Sequence, residues 1–179
     1  MNKTLVASLV GGILLWLWQF MSWSFLGVHE SNMTYTDKQD SIMAAIAATG
    51  LEEGDYFLPR VTNEASAEER EAYYNEHLGQ PWAMISYRSS LENNMGMNMF
   101  RGFIVNVLAV FFLCWVLMKI PDMNMSQTVT ASVMVGLIGF LTINYINSIW
   151  FETDSIPYLI DAIASWGLVG IWLGWFLNR

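Results

Sequence analysis

Asp161 is the single ionisable acid inside any long apolar run of this chain. A charge at a bilayer centre costs on the order of 2.5–3.5 kcal/mol, so such a carboxylate must face protein or water. It sits five residues into the run from Ile156 to Asn178, about 7.5 Å along a helix at about 1.5 Å per residue. Asn144 and Asn147 lie near the end of the preceding run, three residues apart and therefore on one helix face. Gln19, Ser22 and Ser24 lie near the end of the first run, and Arg101 and Asn106 open the second. With the topology argued below, all four runs bring polar groups to the outer third of the membrane. Two chemistries fit Asp161, Asn144, Asn147, Arg101, Asn106 and Gln19. One is an outward-facing pocket for a small ligand, cation or proton; the other is an Asp161–Arg101 ion pair tying the fourth run to the second.

A second constellation is Met95-Gly96-Met97-Asn98-Met99. Soft thioethers select Cu(I), so Met95, Met97 and Met99 with His29 form a candidate copper site. Methionine is also a flexible gap-filler, and its use elsewhere, as at Met123 and Met125, supports that plainer role. The two histidines show no HExxH or paired spacing, which leaves a zinc hydrolase little support. His77 ends an acidic helix, where an imidazolium suits the helix dipole. Cys114 is the only cysteine and lies deep in an apolar run, where it behaves as a small hydrophobe. There is no G-x-S-x-G and no glycine-rich phosphate loop. No catalytic residue and no cofactor is therefore assigned.

The elements that must position these groups follow from hydrophobic length. A membrane-crossing helix needs about 20 apolar residues. Four runs qualify: Thr4 to Leu26, Gly102 to Met118, Thr128 to Trp150 and Ile156 to Asn178. The second is short, but Arg101 and Lys119 bracket it and can snorkel outward. The first follows a basic start at Lys3 but is too long for a signal-peptide core, carries Trp16, Trp18 and Trp23, and precedes no A-x-A-like site. It reads as an uncleaved span. Lys3, Lys119 and Arg179 fall on one side and Glu152-Thr153-Asp154 on the other, so both termini are expected in the cytoplasm of a bacterial inner-membrane protein.

Domain organisation is then residues 1–26 as the N-terminus and first span, 27–98 as an extracytoplasmic cap, and 99–179 as spans two to four. The expected fold is an all-α transmembrane four-helix bundle with a small α+β cap. In the cap, Thr36 with Gln39 predicts a capping box and a helix through Ala48 closed by Gly50, and Ser66 with Glu69 predicts a second helix ending before Gly79. Tyr56 to Leu58 and Trp82 to Tyr87 read as short strands with Pro59 and Pro81 at their edges. Small residues favour close helix contacts in lipid, which marks Gly11, Gly12, Gly136, Gly139, Gly167, Gly170 and Gly174 as packing positions.

Composition agrees. Of 179 residues, 54% are hydrophobic and 13% charged, against roughly 25% charged in a soluble domain. The net charge of -8 excludes the basic footprint of a nucleic-acid binder. It resides mostly in residues 27–98, which hold 12 of the 16 acids.

Several features together carry a resemblance: Trp16, Trp18 and Trp23 followed by His29; Tyr56 to Pro59; Arg101-Gly102-Phe103; Asn144, Tyr145, Asn147 and Trp150; and Asp161 followed by Ser165-Trp166-Gly167. The chain resembles a group of small bacterial four-span inner-membrane proteins with a large outer loop. That resemblance implies the architecture and brings no activity, and it does not extend to Met95–Met99 or the acidic helix. The cytoplasmic halves of the spans are almost wholly apolar, which offers no polar stations for a conduction path. The leading expectation is a non-enzymatic accessory, assembly or stabilising subunit of a larger membrane complex, its partners being the bilayer and other subunits or itself. The alternative is a ligand- or cation-binding or transport protein built around the outward pocket.

Overall fold

In this computed structural model the described residues are 3–178, so Arg179 lies outside them. Long apolar segments without internal proline dictate the main elements: α1 (Lys3–Ser24), α4 (Met95–Leu117), a 27-residue helix Met125–Phe151 and α7 (Ile156–Leu177). All four are long and apolar enough to cross a membrane, which fits a multi-pass membrane protein. The third is not uniform. It runs as α5 (Met125–Gly139), widens into a π-helical turn over Phe140–Tyr145, and resumes as α6 (Ile146–Phe151).

Two starts differ from the apolar runs. α4 begins at Met95 rather than near Gly102, because the Met-rich stretch is itself helical. α5 begins at Met125, fixed by a capping box in which Asn124 Oδ1 accepts from Gln127 N–H at 3.0 Å and Gln127 Oε1 accepts from Asn124 N–H at 2.9 Å.

The chain forms two compact units, one comprising residues up to Tyr35 and from Asn94 onward, the other Thr36–Asn93. His29 and the methionine run thus belong to the helical unit. There α1 packs against both α4 and α7, α7 packs against α5, and α4 scarcely meets α5. A core of Ala7, Leu15, Val110, Cys114, Val169 and Leu173 runs through it.

Glycines set how closely these helices approach. A Cβ on Gly12 would lie 2.7 Å from Val107 Cα, and one on Gly11 2.7 Å from Val110 Cγ1, so α1 and α4 meet at backbone distance. A Cβ on Gly170 would lie 2.8 Å from Val129 Cα, on Gly174 2.5 Å from Met125 Sδ, and on Gly136 2.7 Å from Ala162 O. These three hold α5 against α7. Gly139 meets nothing within 4 Å, and Gly167 reaches only Val133 Cγ2 at 4.0 Å, so neither sits at a tight seam.

The second unit contains α2 (Gln39–Ala48), β1 (Gly54–Leu58), α3 (Ala67–Glu76) and β2 (Ala83–Tyr87). The strands pair antiparallel, with Tyr56 opposite Ile85. Ser66 and Glu69 form the capping box of α3. Thr36 and Gln39 do not form one. The Thr36 hydroxyl instead accepts from Lys38 N–H at 3.2 Å, a local turn that competes with helix and delays α2 to Gln39. At the open end of the hairpin the Ser86 hydroxyl donates to Asp55 and the Ser89 hydroxyl to Glu53. These bonds hold both carboxyls below their usual range, helped at Asp55 by the Arg88 guanidinium.

Candidate functional site

The end of α1 creates the site. Phe25 N–H and Leu26 N–H both donate to Met21 O, and Gly27 then turns the chain with φ +62°, a conformation that side chains resist. The reversal carries His29 back onto α1, where its ring stacks on Trp23 at 3.9 Å between centroids and meets the edge of Tyr158 at 5.1 Å. Ser31 and Asn32 fasten the turn. Ser31 Oγ donates to Asp154 Oδ2 at 2.7 Å, and Asn32 Nδ2 donates to Asp154 O at 3.1 Å. The Ser31 hydroxyl, followed by the Ile156 backbone N–H, keeps the Asp154 carboxyl below the ordinary aspartate range.

Asp161 is the hub. Its Oδ1 accepts from Trp18 Nε1 at 2.9 Å and from Ser22 Oγ at 2.6 Å, and its Oδ2 lies 2.9 Å from His29 Nε2. Trp18 and Ser22 are four apart on α1 and so present one face to α7. Ser165, four residues past Asp161, donates its hydroxyl to the Asp161 carbonyl at 2.6 Å. A carboxylate offers about four lone-pair positions. Three are taken, and its side chain keeps 17% exposure against 3% for His29. His29 Nδ1 is buried with no hydrogen-bond partner.

The remaining exposure of Asp161 opens into a cavity of about 750 Å3. That falls within the roughly 300–1,000 Å3 typical of small-molecule sites. Because α4 and α5 scarcely touch, the cavity is a slot between them, floored by α1 and α7. Gln19, Asn144, Tyr158 and Asp161 form its polar end; Phe112, Leu113, Val116 and Val135 form its apolar end. The π-helical turn lies along one wall and contributes Phe140, Ile143 and Asn144.

Of the sequence candidates, the structure brings Asp161, Gln19 and Asn144 together at this cavity. Asn106 joins through Gln19, donating Nδ2 to Oε1 at 2.7 Å while remaining buried. Arg101 does not take part. The side chain that meets Asp161 Oδ2 is His29, whose Nε2 lies 2.9 Å away, so the expected Asp161–Arg101 pair is replaced by a contact with histidine. The reason is packing order: Arg101 is exposed on α4, which lies against α1 and not against α7. Asn147 is likewise exposed, since the wide turn upsets the helical phase that linked it to Asn144.

The copper set is scattered by the same logic. Met95, Met97 and Met99 are on a helix, where alternate residues point to opposite sides, and Met95 and Met97 are exposed. His29 Nε2 is engaged by Asp161. Trp18, Tyr158 and the hydrogen-bonding part of His29 escaped the sequence reading. The available signal was spacing: Trp18 with Ser22, and Tyr158 with Asp161 and Ser165, recur at three or four residues around the one carboxylate within a span.

No family model, curated protein or solved structure matches the chain.

Proposed function

We propose that this chain is a multi-pass protein of a bacterial cytoplasmic membrane that binds a small lipid-soluble ligand, without catalysis, in the slot between α4 and α5. The observation that carries this reading is the pairing of a cavity of about 750 Å3 with an anchored carboxylate at one end. A packing defect would place no charged group at its wall; a conduction path would need polar stations at its far end, where the lining is apolar. In this reading both termini are cytoplasmic and residues 36–93 lie outside, following the positive charges at Lys3 and Lys119. That orientation places the polar end of the slot toward the outer face.

Membership of a larger complex as an accessory subunit is the second reading. Its one structural support is the open space at Gly139, which lies on the slot's wall, so a partner seated there would occupy the slot in place of a ligand. The close seams at Gly11, Gly12, Gly136, Gly170 and Gly174 are used within the bundle and offer a partner nothing.

Native mass spectrometry of protein released from mild detergent tests the first reading. A retained small molecule, lost in Asp161→Asn, is the expected result. Bare protein, with a melting temperature indifferent to added membrane-lipid extract, would overturn it.

A further inference from the structure

The slot also constrains what can occupy it. Asp161 and Gln19 each lie five residues from a helix end, about 7.5 Å along the axis, whereas Val135 lies sixteen residues before Phe151, about 24 Å. With Val116 farther along α4, the slot extends over about 20 Å. Spread over that length, about 750 Å3 open to the centre of a water molecule corresponds to a groove about 7 Å across for that centre, and about 10 Å from wall to wall once the water's own width is added. An α-helix with side chains is about 10–12 Å wide. The slot is at the lower limit of what a helix needs and is ample for an apolar chain or one aromatic ring, so its lining decides the occupant.

Its lining sets the charge and the hydrogen bonding of the head. No Lys or Arg lines it, and Asp161 stands at its polar end, so a phosphate-bearing head would meet repulsion with no counter-charge. The carboxylate has one acceptor position left, which an O–H or N–H donor on the ligand can fill. Gln19 accepts from Asn106 through Oε1, and its NH2 is left to donate; the Asn144 amide can donate and accept. One level deeper, Phe140 and Trp166 lie eleven residues before Phe151 and ten after Ile156, about 15–16 Å from the same end. The half-buried Trp166 offers aromatic surface to a planar ring just beyond the hydrogen-bonding groups, with the largely buried Phe140 backing the wall at the same depth.

We infer that the occupant is an uncharged amphiphile with a hydroxylated aromatic head and a single apolar chain, a hydroquinone-type molecule. One hydroxyl donates to Asp161, the Gln19 and Asn144 amides engage the ring oxygens, the ring lies against Phe140 and Trp166, and the chain follows Phe112, Val116 and Val135. The inference rests on the proposed ligand-binding function and concerns binding alone.

The full chain in nanodiscs of one synthetic phosphatidylcholine is titrated with three ten-carbon probes: a decyl benzohydroquinone kept reduced, monodecanoylglycerol and decyl phosphate. Melting is followed by circular dichroism. The expected result is a rise of roughly 5 °C or more with the hydroquinone at about 100-fold above Kd, and no rise with the other two. Val135→Trp, which fills the apolar end without touching the Asp161 anchor, should lose at least three quarters of that rise while melting like the parent without probe. Asn144→Leu should weaken hydroquinone binding roughly tenfold, which keeps the test independent of whether Asp161 variants fold. An equal rise with monodecanoylglycerol overturns the aromatic head. A rise with decyl phosphate overturns the charge argument, and a rise unchanged in Val135→Trp overturns the slot as the site. No rise with any probe overturns this inference; a molecule still retained by protein from native membranes would then leave the broader ligand-binding reading standing.

Discussion

His29 Nε2 lies 2.9 Å from Asp161 Oδ2, joining the turn after α1 to the first turns of α7 across 132 residues of sequence. The imidazole does more than pair with the carboxylate. Stacked on Trp23 and edge-on to Tyr158, it closes over Asp161 from the loop side, so the carboxylate's remaining exposure is directed into the slot. A group that would be costly in lipid is kept there by three donors from α1 and its following turn.

Removing the acceptor should therefore cost more than removing any one donor. Asp161→Ala strands Trp18 Nε1, Ser22 Oγ and His29 Nε2 together, and each buried polar group left without its partner costs about 1–3 kcal/mol. His29→Ala leaves the carboxylate two donors and should cost about 1–3 kcal/mol. Arg101→Ala, on an exposed helix face, should stay within about 0.5 kcal/mol. Unfolding titrations of the three variants in one detergent check the order, and an Arg101 effect as large as that of Asp161 would contradict this account of the pair.

The glycine seams permit an internally controlled comparison. Gly12→Ala and Gly170→Ala would each press a methyl against opposing backbone at 2.7–2.8 Å, in a position where no side chain can rotate away. Overpacking of this kind costs about 1–3 kcal/mol or more. Gly139→Ala, with open space around it, should be neutral or stabilising by up to about 1 kcal/mol through its better helix propensity. Thermal melting of the three proteins distinguishes the seams from the open wall of the slot, where Gly139 lies.

Residue type announced the spans and the anomaly of Asp161 among apolar neighbours, but it did not reveal which helix stands beside which. The expected Arg101 partner failed for that reason: equal depth in the membrane is not adjacency, and α1 lies between α4 and α7. Phe140–Tyr145 contains no glycine or proline to signal a widened turn, so the separation of Asn144 from Asn147 could not be anticipated from ordinary helical phase. Ser66 and Thr36 show the same limit locally. Each precedes an acidic or amide residue by three positions, yet only Ser66 caps, because the Thr36 hydroxyl is consumed by Lys38 N–H.

The Ser31–Asp154 clip makes the His29 turn sensitive to acid. Because the folded-state carboxyl is held below the ordinary aspartate range, the clip contributes above that range and is lost as pH falls through the depressed value. Amide exchange at Asn32 and Ile156 should accelerate at that acid limit, and Ser31→Ala should move the acceleration to higher pH. Identical pH profiles for parent and variant would remove the hydroxyl as its cause.

Orientation can be tested apart from ligand and stability. With Cys114 replaced by alanine, Asn93→Cys and Ile120→Cys place single thiols on exposed positions in the two connecting segments flanking α4. In the proposed orientation, which follows the charges at Lys3 and Lys119, the Ile120 end is cytoplasmic. A membrane-impermeant maleimide added to intact spheroplasts should then label Asn93→Cys and leave Ile120→Cys unlabelled until the membrane is opened. The reverse pattern would invert the topology and turn the polar end of the slot toward the cytoplasm; equal labelling of both without permeabilisation would mean that α4 does not cross the bilayer.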